Sequence, residues 1–197
     1  MGFRFEGKII FFATNNVNKF SEARKVLAEH GIASGMIRVK TLEIQSESLE
    51  EIAKTSAIQA FQNCGLPIIV EDAGLFVDAL NGFPGPYASY VYKTIGNKGL
   101  LKLMENVENR RAKFESVVAY ISPKCQQPIC FKGEVAGEIT REERRKASQL
   151  GFGFDPIFKP RGVDKTFAEM QISEKNKYSH RAEALRNFAK WYKSQRP

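Results

Sequence analysis

Two stretches of this chain place hydrogen-bonding groups directly after apolar runs. "TNNVNK", residues 14 to 19, follows "IIFFA" without a spacer, and Glu71 and Asp72 close the run "PIIV". In an α/β sheet, ligands gather at the carboxyl ends of strands, where helix N-termini and free backbone amides point. Thr14, Asn15, Asn16, Asn18 and Lys19 bring neutral donors and one cation to that edge, a set suited to polyphosphate oxygens. Glu71 and Asp72 bring two carboxylates, which repel each other and any phosphate unless a cation comes between them. Hard oxygen ligands beside a phosphate site call for Mg²⁺ or Mn²⁺. The plainer alternative is that Thr14 or Asn16 caps the following helix and Asp72 caps a turn.

Two further stretches carry chemistry of another kind. "GFGFDP", residues 151 to 156, sets the aromatic faces of Phe152 and Phe154 beside the Asp155 carboxylate. A flat base could stack there while the acid reads ring N–H groups; the alternative is a turn whose phenylalanines fill the core. "EKNKYSHR", residues 174 to 181, brings Lys175, Ser179, His180 and Arg181 to the start of the last helix. Cations at a helix N-terminus oppose its dipole, so the placement costs stability unless an anion or a ligand offsets it. The other histidine, His30, falls at an expected helix C-terminus, where positive charge is favourable, and reads as structural. GxxxxGK[ST], HExxH and GxGxxG are all missing from the chain.

The elements that must position these groups follow from periodicity. Lys8 to Ala13 is a continuous apolar run of strand length, and a helix should follow from about Asn18 to His30 with Phe20, Ala23 and Leu27 on one face. "MIRVKTLEI", residues 36 to 44, predicts a second strand. Leu49 to Cys64 has helical spacing and ends at Gly65-Leu66-Pro67, and "PIIVED" repeats the pattern of the first strand. "ALNGFPGPY", residues 79 to 87, is a structured loop by its turn signals. A short helix around Asn97 to Glu105 precedes two β-rich stretches, residues 112 to 122 and 127 to 139, which predict an antiparallel hairpin. The last helix should run from about Ser179 to Lys193 on the stripe Ala182, Leu185, Phe188, Ala189 and Tyr192. Parallel βα units joined to an antiparallel hairpin imply a mixed sheet.

The 197 residues suit a single domain spanning 1–197. A net charge of +8 and a pI near 9.4 favour an anionic partner without choosing among nucleic acid, membrane and phosphorylated small molecule. The dense positive runs, Arg110-Arg111, Arg141 and Arg144-Arg145-Lys146, lack interleaved aromatics, which favours a solvated surface over a nucleic-acid face. Cys64, Cys125 and Cys130 have no CxxC or CxxxH spacing, so a reducing cytoplasm fits better than a disulfide or zinc framework. Nothing approaches transmembrane length.

Taken in order, these stretches resemble the inosine triphosphate pyrophosphatase family, over nearly the whole chain. "FATNNVNK" is similar to that family's Thr/Ser-x-Asn-x-x-Lys phosphate loop, and "VEDAGLFVDALNGFPGPYAS" to its Glu-Asp-(Ser/Thr)-Gly-Leu motif with the Asn-Gly-x-Pro-Gly loop after it. "GFGFDPIF" and "KNKYSHR" are similar to its base-recognition segments. The resemblance implies an elongated, two-lobed α/β fold, with a twisted mixed β-sheet flanked by helices and an active-site cleft between the lobes. It implies a homodimer that acts on a nucleoside triphosphate, which with the cysteine and charge readings above makes a cytoplasmic protein with no nucleic-acid or membrane partner the expectation. It also implies a Mg²⁺-dependent attack of water on ITP, dITP or XTP that releases pyrophosphate, with Mn²⁺ as the alternative metal.

Carried over by position, the resemblance puts the loop Thr14, Asn15, Asn16, Val17, Asn18 and Lys19 on the triphosphate, and Glu43 and Asp72 on the metal. Asp72 is also the general base, Lys19 the catalytic cation, and Ala73 a substrate neighbour. Phe152 would stack on the base, Gly153 and Phe154 would line its pocket, and Asp155, Lys175, His180 and Arg181 would contact the base or neighbouring groups. The chain departs from the pattern at Asn15, in place of a glycine, at Ala73, in place of a hydroxyl residue, and at Ser56, near where many members carry a lysine. Two rivals remain open: a basic RNA- or DNA-binding domain, and a pyrophosphatase of related fold that acts on pyrimidine nucleotides.

Overall fold

The computed structural model describes residues 9–39, 41, 44–145 and 151–195. A seven-stranded mixed sheet runs through it in the order β2-β1-β3-β5-β6-β7, with β4 added to β3. β1 (Ile10–Ala13), α1 (Val17–Glu29) and β2 (Ser34–Ile37) form the first βα unit, and α2 (Leu49–Cys64) and β3 (Ile68–Val77) the second. β1 pairs in parallel with both β2 and β3. β3 then pairs antiparallel with β5 (Arg111–Ile121), which forms the expected hairpin with β6 (Ile129–Ile139). β4 (Pro84–Gly85), α3 (Ala88–Thr94) and α4 (Gly96–Leu103) lie between β3 and β5; β7 (Phe158–Pro160), α5 (Ile172–Lys175) and α6 (His180–Ser194) complete the chain.

Each main helix carries its own start signal. Asn16 caps α1, Ser48 caps α2 and Ser179 caps α6, each by a side-chain oxygen that accepts from backbone N–H groups of the first turn. Gly65 closes α2 at a φ of 65°, where a side chain would be strained.

Two strands differ in length from the sequence expectation, in opposite directions. β2 begins earlier and stops at Ile37 because β1, the one strand that pairs with it among the described residues, is four residues long and ends at Ala13 in register with it. Lys40, Leu42 and Glu43, the far part of the expected strand, lie outside the described residues. β3 runs on past Asp72 to Val77 because β5 pairs with it all the way from Ile121 to Ala112. α3 was not expected at all; "ASYVYKT" is rich in aromatic and β-branched residues of poor helix propensity.

Two lobes share this sheet. In the first, α1 and α6 cover one face through Val26, Leu27, Leu185 and Phe188 over Ile69 and Val118, while α2 covers the other through Ala53 and Ala57 over Val70 and Val117. The second lobe packs Leu100, Met104, Phe158 and Phe167 on Leu75, Val77 and Phe114. α6 approaches β6 so closely that a Cβ on Gly133 would meet the His180 carbonyl at 2.2 Å. Between the lobes the sheet is notched. β1 stops at Ala13, and β4 pairs with β3 only at Leu75 and Phe76, so the β3 edge from Glu71 to Ala73 borders neither strand.

Candidate active site

The β1–α1 loop folds over this notch and is held by its own side chains. The Asn16 N–H donates to Thr14 Oγ1 at 3.1 Å, and Asn16 Oδ1 accepts from the N–H groups of Asn18 at 2.9 Å and Lys19 at 3.1 Å. The capping alternative is therefore correct for Asn16, and two backbone amides of the loop are already engaged by its side chain. Positive φ values among the non-glycine described residues occur at Asn81 and Asn106, so Asn15 turns the corner without a left-handed backbone. Asn15, Val17 and Asn18 are exposed, and Thr14, Asn16 and Lys19 half-buried.

Lys19 reaches down from α1 to β3. Its Nζ lies 2.9 Å from Glu71 Oε2 and donates to the Glu71 carbonyl at 3.3 Å, on the strand edge that β1 has vacated. Glu71 Oε1 accepts from Ser116 Oγ at 2.6 Å and lies 3.1 Å from Arg181 Nε. Arg181 continues to Glu22, whose Oε2 accepts from Nη1 at 2.6 Å, and Glu22 Oε1 accepts from Lys175 Nζ at 2.7 Å. Lys175 in turn donates to Asp155 Oδ2 at 2.7 Å. Six side chains of alternating sign thus run from the phosphate-type loop to the "GFGFDP" turn.

The energetics of this chain decide its charge state. Burial pushes the Glu71 carboxyl up, but Arg181, Lys19 and the Ser116 hydroxyl outweigh it and hold the group well below the ordinary range. Glu22 is likewise lowered, its burial overcome by Lys175 and Arg181. At the end of the chain burial prevails, and the Asp155 carboxyl is raised even with Lys175 beside it. Lys175 and Arg181 are raised, because their carboxylate partners overcome the desolvation of both cations. His180 goes the other way: burial, reinforced by the Arg181 charge, holds it well below the usual imidazole value, so it is neutral. Its ring stacks on Phe114 at 4.6 Å and 10°. The cost of cations at the start of α6 is thus offset by buried acids.

Alternation along β3 separates the two carboxylates that the sequence sets side by side. Ile69 packs toward α1 and α6, and Glu71 shares that face; Val70 packs toward α2, and Asp72, half-buried, shares the other. The expected cation between Glu71 and Asp72 is therefore corrected: Glu71 is balanced by Lys19 and Arg181, and Asp72 stands apart from it. Ala73, half-buried, sits directly across the ladder from Ser116. Glu43 lies outside the described residues.

At the other end, the Phe152 ring centroid is 4.7 Å from Lys175 Nζ and 5.4 Å from the Arg181 guanidinium carbon. The Phe152 N–H donates to Asp155 Oδ2 at 3.0 Å. Gly153 turns at a φ of 60° with open space where a Cβ would stand. Phe154 faces away into the second core, edge-on to Tyr92 at 5.6 Å, so for it the core-filling alternative is the right one. Ser56 is buried in α2. Sequence reasoning missed Glu22 and Ser116, which join these groups. An acid four residues before Val26 on the apolar face of α1 was a usable sign of the first; the second left none.

Fold and site together define an α/β protein whose polar groups converge at the carboxyl end of a parallel strand, beside the point where the sheet turns antiparallel. Residues 10–191 match the model of the Ham1 family, and the chain belongs to that family. It is 51% identical over 185 residues to a dITP/XTP pyrophosphatase of Methanopyrus kandleri, covering 94% of this chain and 96% of that protein. It is 48% identical over 192 residues to the dITP/XTP pyrophosphatase of Hyperthermus butylicus, covering 98% of each. Among solved structures, the Ham1 protein of Staphylococcus aureus superposes with a TM-score of 0.79 at 29% identity, over 96% of this chain and 100% of that one. A HAM1 protein of Coxiella burnetii gives 0.80 at 30% identity, over 94% and 98%.

Proposed function

We propose that this protein hydrolyses non-standard purine nucleoside triphosphates, dITP and XTP together with ITP, to the monophosphate and pyrophosphate, and so clears them from the nucleotide pool. The observation that carries the reading is the continuous chain of charges from Lys19 to Asp155, which spans a phosphate-type loop and an aromatic turn. The names of full-length relatives at about half identity agree with it.

In this reading the triphosphate lies along the β1–α1 loop, with Lys19 meeting charge that builds on the leaving pyrophosphate. Asp72 accepts the proton of a water whose oxygen bonds to the α-phosphorus as the bridge to the β-phosphate breaks. A half-buried carboxylate at the rim of the notch is a hard oxygen donor that fits Mg²⁺ or Mn²⁺, and Asp72 and Glu43 would hold that ion. Such an ion supplies charge neutralisation to the phosphates. The base stacks on Phe152, and Lys175, Arg181 and neutral His180 present donors to a 6-oxo edge. Adenine lacks that oxygen, and a guanine 2-amino group left without a partner is costly to bury.

The protein acts in this reading as a homodimer in the cytoplasm. Support comes from Phe83, Tyr87, Tyr90, Ile95 and Leu103, large apolar side chains exposed by 40 to 69% in and around α3 and α4, and from three free cysteines. Among the described residues no helix is long and apolar enough to cross a membrane. The deciding experiment measures pyrophosphate released from a nucleotide panel with and without Mg²⁺. ITP, dITP and XTP should far exceed ATP, GTP and the pyrimidine nucleotides; comparable turnover of ATP would overturn the reading.

A further inference from the structure

We propose that Glu71, fixed in place by Ser116, is a positioning residue that sets the spacing between the phosphate grip at Lys19 and the base pocket at Arg181. The proposal rests on the functional reading above for what Lys19 and Arg181 contact. The Glu71 side chain is wholly buried and touches both cations. The Lys19 ammonium donates to the Glu71 backbone carbonyl at 3.3 Å and stands 2.9 Å from its carboxylate as an ion pair, so the strand and the side chain of Glu71 together fix where that charge sits. Arg181 donates Nη1 to Glu22 and holds its Nε 3.1 Å from Glu71 Oε1 as an ion pair, so the position of its guanidinium answers to both carboxylates.

A glutamate has three rotatable side-chain bonds, and two long cations alone do not fix it. Ser116 does. It lies on β5, is 1% exposed, and donates its hydroxyl to Glu71 Oε1 at 2.6 Å, the shortest of the carboxylate's contacts. Glu71 and Ser116 are diagonal neighbours on one face of the β3–β5 ladder, because Ser116 stands opposite Ala73 and Glu71 opposite Val118. The hydroxyl absent at Ala73 is thus present one strand away, turned to Glu71.

The test uses the whole chain and probes each end of the site separately: inorganic tripolyphosphate for the Lys19 end and inosine for the Arg181 end, both by calorimetric titration. Ser116→Ala should weaken both ligands about tenfold, the loss of one hydrogen bond to a charged group. KM for ITP should rise more than kcat falls, and Ser116→Thr, which keeps the hydroxyl, should restore all three. Unchanged binding in Ser116→Ala, weakening of one ligand alone, or no rescue by Thr would each overturn the proposal. Glu71→Gln should weaken both ligands more strongly, and its thermal melt reports whether it folds. If the wild type binds both probes yet releases no pyrophosphate from ITP, the functional reading fails while the positioning role is still decided by the paired titrations.

Discussion

Glu22 and Lys175 stand 153 residues apart in the chain and 2.7 Å apart in the fold. Both are almost wholly buried, and each has a second partner, Arg181 for Glu22 and Asp155 for Lys175. The pair ties α1 to α5. A buried ion pair of this kind contributes little by itself, since desolvation consumes most of the Coulombic gain, but removing one member leaves an uncompensated charge.

Glu22→Ala should therefore lower stability by about 3–5 kcal/mol in urea denaturation. Both Lys175 and Arg181 lose a partner, so affinity for inosine should fall in the same variant under conditions where it remains folded. A loss below about 1 kcal/mol, the value of an exposed pair, would show that water reaches this network.

Asp72→Asn keeps the shape of the side chain and removes its basicity. Turnover of ITP should drop by at least about 10²-fold, the range of general-base catalysis. The urea midpoint and tripolyphosphate binding should be nearly preserved, because the Glu71 carboxylate, 2.9 Å from Lys19 Nζ, remains to hold that cation. Retained turnover in the pyrophosphate assay would take Asp72 out of its role.

Stability should fall with acid below about pH 6.5 through His180. The native imidazole is held well below its ordinary value of 6.5, so in this window the unfolded chain binds the extra proton. Stability then rises with pH and is lost as pH falls, by at most about 1.4 kcal/mol per unit. His180→Phe keeps a ring against Phe114 and removes the titration. Urea midpoints measured from pH 5 to 7.5 should show a flatter slope in this variant.

Gly133→Ala should separate α6 from β6, because the new Cβ would lie 2.2 Å from the His180 carbonyl and 2.4 Å from the Ala184 nitrogen. The cost should be about 1–3 kcal/mol, as for an overpacked core. As α6 carries His180 and Arg181, KM for ITP should rise with it. An unchanged melting temperature would mean that the helix has room to yield.

Tyr90→Glu tests the proposed dimer. Tyr90 is 69% exposed on α3, so the variant should fold and melt normally. Sedimentation should show a monomer where the wild type shows a dimer.

Much of the fold could be read from periodicity. α2 was expected at its observed bounds, and α1, α6 and the β5–β6 hairpin within a few residues, because each carries an apolar stripe and side-chain caps or turn residues that agree with it. α3, β7 and α5 could not be read, since segments of three to seven residues hold no full period and owe their form to tertiary contacts. The site divided along the same line. Lys19, Lys175, Arg181 and Asp155 announced themselves as charges in apolar or turn contexts. What joins them, Glu22 on α1 and Ser116 on β5, depends on which helix crosses which strand, and no local pattern encodes that. The adjacency of Glu71 and Asp72 misled for a simple reason: neighbours in a strand face opposite ways.

The sharing of β3 and β5 by both lobes has a mechanical consequence. The buried residues of each strand enter the two clusters of the first lobe at one end and the cluster of the second lobe at the other, so these strands join the two bodies without a loop between them. Closure around a bound nucleotide has to come from torsion of a continuous ribbon, a stiff and small-amplitude movement. The same continuity couples the lobes in unfolding: heat should melt them in one calorimetric transition, and amide protons on either half of β5 should exchange with a common opening free energy.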